Sequence, residues 1–253
     1  DIAEAKIKTD RVDSRAIADL VRLDALPSSY IPSPEIAELR ERVRRRAFLI
    51  RDRAKLKAKI KNVLAYEGIV PPKEHGLFTG QGVVWLHGLN LEPVECYLTV
   101  MATLNAVIGK LSLELKHLAD GDEDIELLMT IPGIGYYTAL LVKAEVGDLN
   151  RFSTGEQLCS YAGIVPSTHS SAEVTRHGGI TKEGSRWLRW AMVEAALVHL
   201  KYDTSITRAY HRIAERRGKQ VAQVAAARKL LMCCWAILKN RQPYHDQASN
   251  APR

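Results

Sequence analysis

No run in this chain approaches the eighteen or more consecutive apolar residues that a bilayer crossing needs. The front also lacks the basic, apolar and small-residue succession of a signal peptide, so no membrane role is expected and the cytoplasm is the expected location. Cysteine is scarce. The four thiols, Cys96, Cys159, Cys233 and Cys234, show no metal-ligand spacing, and the adjacent pair is badly placed for a disulfide framework. Reduced, buried thiols without assigned chemistry are the expectation. An initiator methionine is absent as well: the chain opens Asp1-Ile2-Ala3, and we read it as the larger, carboxyl-terminal part of a longer protein.

What is present suits a folded protein. With 253 residues and 46% hydrophobic content the chain can bury a real core as one large domain or two ordinary ones. A formal charge of +7 and a pI near 9.2 admit an anionic partner without requiring one. The placement of the charge says more. Between Arg40 and Lys61 stand eleven Lys or Arg against only Glu41 and Asp52, a local excess of +9 that exceeds the whole-chain value and leaves the remainder slightly acidic.

Apolar periodicity predicts a mainly α chain. Residues 10–25 read as a helix with Ile17, Leu20 and Val21 on one side, broken by three prolines between Pro27 and Pro34. From Glu35 one long amphipathic helix carries Ile36, Leu39, Val43, Ala47, Ile50 and Ala54, then shifts phase to Leu56, Ile60 and Val63. Gly68, Pro71 and Pro72 end it, and the glycine-studded segment to Leu91 has no clear reading. Tyr97, Met101, Leu104, Ile108, Leu111, Leu115 and Leu118 then hold a heptad register, which calls for a partner, most simply the basic helix folded back as an antiparallel coiled coil. After Asp120-Gly121-Asp122 come a short helix, a glycine turn at Ile131–Gly135, a helix to Val146, and another near 155–162. Residues 166–184 hold a small hairpin or an ordered loop, and helices near 185–201, 205–217 and 219–240 close the fold. The expected segments are 1–30, an arm at 31–120, a compact helical domain at 121–241, and a flexible tail at 242–253.

Three segments could carry chemistry. In Lys8-Thr9-Asp10-Arg11-Val12-Asp13, two carboxylates three apart project from one face of a helix and could share a divalent cation; they equally suit the positive end of a helix dipole. The turn Ile131-Pro132-Gly133-Ile134-Gly135 resembles the hairpin of helix-hairpin-helix modules, whose exposed N–H groups hold a phosphate; close helix packing would demand the same glycines. The stretch Gly163 to Arg189 sets Ser170 and Ser171 before Arg176, Lys182, Arg186 and Arg189. That combination suits a hydroxyl facing a phosphodiester with cations nearby, and also suits a surface loop with capping serines. On the basic helix, Arg44, Arg45, Lys57 and Lys61 are candidate nucleic-acid contacts.

Together the segments KTDRVDSRAIADL, IPGIGYYTALLVKAEVGD and LCSYAGIVPSTHSSAEVTRHGGITKEGSRWLRWAMVEAA resemble the insertion-sequence transposases of the 110, 116 and 902 group, the DEDD transposases, from Lys8 to about Arg241. The resemblance implies a ribonuclease-H-like (RuvC-like) domain with four metal-binding acids, a coiled coil, and a carboxyl-terminal transposase domain supplying a serine nucleophile. It further implies Mg²⁺, donor and target DNA, a structured guide (bridge) RNA, and a homo-oligomer. By position, Asp10 and Asp13 are the last two acids, the first two being expected upstream of Asp1. The nucleophile lies five residues after Pro166 and thirteen before Gly184, which selects Ser171 over Ser170. Ala172 replaces the glycine usual after that serine.

The expected fold is therefore a remnant of a RuvC-like domain, a long antiparallel helical arm, and a compact helical transposase domain. The expected function is strand cleavage and exchange through a serine–DNA intermediate, with this chain inactive alone. The rival readings are a non-enzymatic nucleic-acid-binding module and a helical oligomerisation protein.

Overall fold

The computed structural model of the chain describes residues 10–23, 30–171 and 174–246, with the backbone alone for 168–171 and 174–177. Lys8, Thr9 and Ala172, named above, lie outside the described residues. Among those described, ten α-helices and one two-stranded hairpin account for the regular structure, so the mainly α expectation holds. Contacts divide the chain into Asp1–Ser33 and Pro34–Arg253. In the first unit, α1 (Asp10–Arg22) starts on the acidic pair Asp10 and Asp13 and ends on Arg22, charges that complement the helix dipole at both ends.

The second unit begins with the arm. Helix α2 (Pro34–Tyr66) buries Val43, Ala47, Ile60 and Leu64, with Leu39, Ile50, Leu56 and Val63 half-buried and Ala54, expected on the stripe, exposed. It pairs with α4 (Glu92–Ala119). Arg46 Nε donates to Ser112 Oγ at 2.7 Å and Arg53 Nη1 to Asn105 Oδ1 at 2.9 Å, a register that rises on one helix as it falls on the other, so the pair is antiparallel. The seam of α4 keeps the expected heptad at Met101, Ile108, Leu111 and Leu115, which are buried, and departs from it at the two ends. There Val94, Leu98 and Ala119 are buried, whereas Leu118 is exposed and Tyr97 is half-buried, as is Leu104 midway. Asn105 and Ser112 stand beside this seam as partners of the two arginines.

At the tip of the arm, the segment without a reading forms α3 (Gly80–Gly88), started by Thr79, whose hydroxyl accepts from the Gly82 N–H. Its Leu86 is fully buried in a cluster with Ile60, Leu64, Val94, Leu98 and Met101, and so closes the end of the helix pair.

Six more helices and a hairpin build the rest. Helix α5 (Glu123–Met129) is capped by Asp122, and α6 (Tyr136–Val146) runs through the centre with Leu140, Leu141, Val142 and Val146 inaccessible. Each such aliphatic side chain contributes roughly 1.5–3 kcal/mol on burial. After a 3-10 turn come α7 (Gly155–Tyr161), the strands β1 (Pro166–Ser171) and β2 (Val174–Ile180), then α8 (Arg186–His199), α9 (Ser205–Arg217) and α10 (Lys219–Asn240). Val43, Leu115 and Ala119 from the root of the arm belong to the same hydrophobic core as α6, α8 and α10.

By length and mean hydropathy α4 and α10 could cross a membrane. In the fold α10 packs on α5, α7, α8 and α9, and α4 lies along α2. Residues 242–246 of the expected flexible tail are tied down: Tyr244 N–H donates to Thr130 Oγ1 at 2.8 Å, and the Asp246 carboxylate accepts from Ser205.

Candidate active site and nucleic-acid interface

The segment carrying the two serines folds as an antiparallel hairpin in which Ser170 pairs with Thr175 and Ser171 with Val174, with an irregularity between Pro166 and Thr168. Ser171 is therefore the last residue of β1, at the end of the hairpin farthest from the helices. The root is held by backbone contacts so close that side chains are excluded. A Cβ on Gly184 (φ +91°) would lie 2.0 Å from the Tyr161 carbonyl oxygen, and one on Gly163 (φ +65°) would lie 2.1 Å from that of Glu183. Thr181 N–H donates to Val165 O, Lys182 N–H to Gly163 O, and Ser185 N–H to Tyr161 O. Arg189 donates to the Ala162 carbonyl at 2.8 Å. The glycines and Arg189 of this motif thus fix where the hairpin leaves the domain.

Behind the root lies a buried carboxylate. Glu145, inaccessible to solvent on α6, receives a two-pronged contact from Arg44 of the arm, Nε at 2.7 Å and Nη2 at 2.8 Å. Ser185 Oγ donates to the same carboxylate at 2.8 Å while accepting from the Leu188 N–H as the cap of α8. Arg40 adds bonds to the carbonyls of Ala144 and Glu145, and Tyr161 O–H donates to the latter. Beside this node Tyr137 donates to Val43 O at 2.8 Å under the Arg46 guanidinium, 4.1 Å from its ring. Burial pushes the Tyr137 hydroxyl up to about 12. One charged cluster therefore ties the arm, the central helix and the hairpin root together. Sequence reasoning missed it, although a lone Glu inside the apolar run of α6 was a usable signal.

Asp10 and Asp13 occupy the first turn of α1, and Ser14 Oγ bonds back to the Asp10 carbonyl. Carboxylate oxygens are the right donors for a hard divalent cation, and Asp13 Oδ1 is buried without a hydrogen-bond partner among the described residues, which fits an electropositive neighbour. The pair is only part of a ligand set: no group of three or more metal-ligating side chains occurs among the described residues.

Other expected residues divide by what they touch. A Cβ on Gly133 (φ +90°) would meet His199 N at 2.7 Å, so close packing on α8 accounts for this glycine. His199 itself is buried, donating from Nδ1 to Pro132 O at 2.6 Å and bonding through Nε2 to Thr204 Oγ1 at 2.7 Å. Gly135, by contrast, is exposed with open space around it and stands at the start of α6, its carbonyl accepting from Ala139 N–H. Arg44 and Arg189 are engaged by Glu145 and Ala162 as described, and Arg45 pairs with Glu41. Lys57 lies over the Phe78 ring at 5.0 Å, its pKa lowered by burial and by the charges of Arg53 and Lys61. Lys61 and Lys182 are exposed, and Arg186 stacks over Trp187 at 5.0 Å. Arg176 is described only as the backbone partner of His169. All four cysteines are free, Cys159 and Cys234 buried as expected and Cys96 exposed.

Residues 125–212 match the family model described as Transposase IS116/IS110/IS902 family, and residues 1–67 match a DEDD-type IS110 model described as Transposase. The chain is 30% identical to the transposase for insertion sequence element IS1111A of Coxiella burnetii, over 94% of this chain and 68% of that protein. It is 26% identical to a probable family 20 transposase of Pseudomonas aeruginosa, over 94% and 74%. The pilin gene-inverting protein of Moraxella bovis is 31% identical over 52% of this chain and 40% of its own length.

Proposed function

This chain belongs to the IS116/IS110/IS902 family of transposases, and from that premise we propose that it performs DNA strand cleavage and exchange with Ser171 as nucleophile. The observation that carries the reading is the placement of Ser171 at the free end of a hairpin whose root is locked by Gly163, Gly184 and Arg189. A hydroxyl that must enter a DNA backbone needs reach at its tip and rigidity at its base.

In the proposed step the Ser171 hydroxyl loses its proton as its oxygen attacks a phosphodiester. A phosphorus–oxygen bond to serine forms, the bond to one sugar oxygen breaks, and the departing oxygen takes a proton. Rejoining reverses the sequence with a second strand, so no bond is lost to water. Arg176, Lys182 and Arg186 are the cations we assign to the phosphate, and Gly135 with the first turn of α6 positions a neighbouring backbone phosphate. Asp10 and Asp13 would hold part of a Mg²⁺ site, and such an ion would supply charge neutralisation to a phosphodiester.

Lys57 and Lys61 extend the basic surface of the arm toward nucleic acid, either DNA or a structured guide RNA. Assembly into a homo-oligomer and operation in the cytoplasm complete the proposal. A second reading has its own support: two carboxylates leave most of a cation's coordination to water, which favours a chain that binds nucleic acid by itself without cutting it.

The deciding experiment traps covalent adducts with labelled donor DNA, using a protein extended to the length of its relatives. Ser171→Ala should abolish the adduct with nucleic-acid binding near normal, whereas Ser170→Ala should retain it. The reverse result would move the nucleophile by one residue, and an adduct in both variants would remove serine chemistry from this hairpin.

A further inference from the structure

We infer that the solvent face of α9, with the start of α10, is a second docking surface for the phosphodiester backbone of duplex DNA, separate from the arm; the choice of partner rests on the transposase reading. Helix α9 buries Ile206, Thr207 and Ala209 and turns Arg208, His211, Arg212, Glu215, Arg216 and Arg217 outward, and Lys219 follows at once. That is five cations against one acid in twelve residues.

The head of the helix already holds an anion of the chain itself. The Asp246 carboxylate accepts from Ser205 N–H at 3.0 Å and Ser205 Oγ at 2.5 Å and lies 3.6 Å from Arg208, which also pairs with Asp203 at 2.7 Å. Farther along, the charge has no such use. Among the described residues Arg212, Arg216, Arg217 and Lys219 make no ion pair, and Glu215 neutralises none of them.

The contrast with the arm is informative. There Arg42, Arg44, Arg45 and Lys55 face carboxylates, and Arg46 and Arg53 are tied to the partner helix. A helix kept for packing alone gains by placing an acid four residues from each cation, and like charges at that spacing oppose helix formation. Arg212 follows Arg208, and Arg216 follows Arg212, at that unfavourable interval. Arg212 and Arg216, four apart on one face, rise about 6 Å, the length of about two phosphates along one strand, and Arg217 and Lys219 extend the row. Arg212, Arg216 and Lys219, releasing counterions together, are the chemistry a polyanion recognises.

The test is fluorescence anisotropy of this chain with a labelled 30-base-pair DNA duplex and, separately, an RNA duplex of equal length, at several salt concentrations. The variant carries Arg212→Gln, Arg216→Gln and Lys219→Gln; a Lys57→Gln, Lys61→Gln arm variant runs in parallel. All α9 positions changed are exposed, so melting should match the parent, and Arg212→Lys with Arg216→Lys should keep full binding. We expect the α9 variant to lose roughly tenfold to a hundredfold in affinity near 0.15 M salt and to flatten the slope of log affinity against log salt by about 2 to 3. Loss on the RNA duplex alone would overturn the assignment to DNA. An unchanged slope on both, with the arm variant weakened, would overturn the α9 surface and leave the family reading intact. No binding of either duplex by the parent chain would overturn both.

Discussion

Removing one partner of the Glu145–Arg44 pair should be among the costliest single changes in this protein. Glu145 is inaccessible, and among the described residues its carboxylate is compensated by Arg44, at 2.7 and 2.8 Å, and by Ser185 Oγ at 2.8 Å. Breaking a buried ion pair typically costs about 3–5 kcal/mol, most of it the penalty of the stranded charge. The Arg44 side chain is 39% exposed, which places Arg44→Ala near the low end, about 3 kcal/mol. In a unit of this size that corresponds to a fall in melting temperature of roughly 6–12 °C. Ser185→Ala removes both a helix cap and a charged hydrogen bond, and about 2 kcal/mol is expected. Replacing the pair together, Arg44→Met with Glu145→Leu, should cost far less than the two single changes combined, because no charge is left buried. The assay is thermal and urea unfolding followed by circular dichroism, arranged as a double-mutant cycle. Single changes of under about 0.5 kcal/mol that simply add would refute the claim that this cluster anchors the hairpin root to the arm.

The glycine turn should separate by position. Gly133→Ala should destabilise by about 1–3 kcal/mol, since its Cβ would meet His199 N at 2.7 Å, whereas Gly135→Ala should cost about 1 kcal/mol or less and show in nucleic-acid affinity; equal melting shifts would contradict this division. Asp124 is pushed up by burial, but Lys143 and Arg241 outweigh that and hold it below the usual carboxylate range. Its contribution is present above the unfolded value near 4 and is lost as pH falls through the lower folded value, so acid unfolding should begin below about pH 4 and Lys143→Met should blunt the acid-dependent part. Isothermal titration of the 253-residue chain with Mg²⁺ should show weak binding, and chelation should leave its melting unchanged; tight stoichiometric uptake would mean that the ligand set is more complete than Asp10 and Asp13.

Local pattern carried much of the fold. The period of apolar residues located α2, α4, α8, α9 and α10, and the prolines from Pro27 to Pro34 marked the break between α1 and α2, because these signals arise from neighbours along the chain. The family was also legible in its motifs, which are a property of sequence alone. Tertiary structure decided what each charge and each glycine is for. Arg44 and Glu145 are 101 residues apart and Arg46 and Ser112 are 66 apart, so no local reading could pair them, and +9 on the arm looked freer than it is. Gly133 and Gly135 are two residues apart in one turn, yet one packs against His199 and the other faces open space. The fold assigns such residues because burial and partnership depend on what the rest of the chain brings to them, and that information is spread over distances at which sequence periodicity is silent.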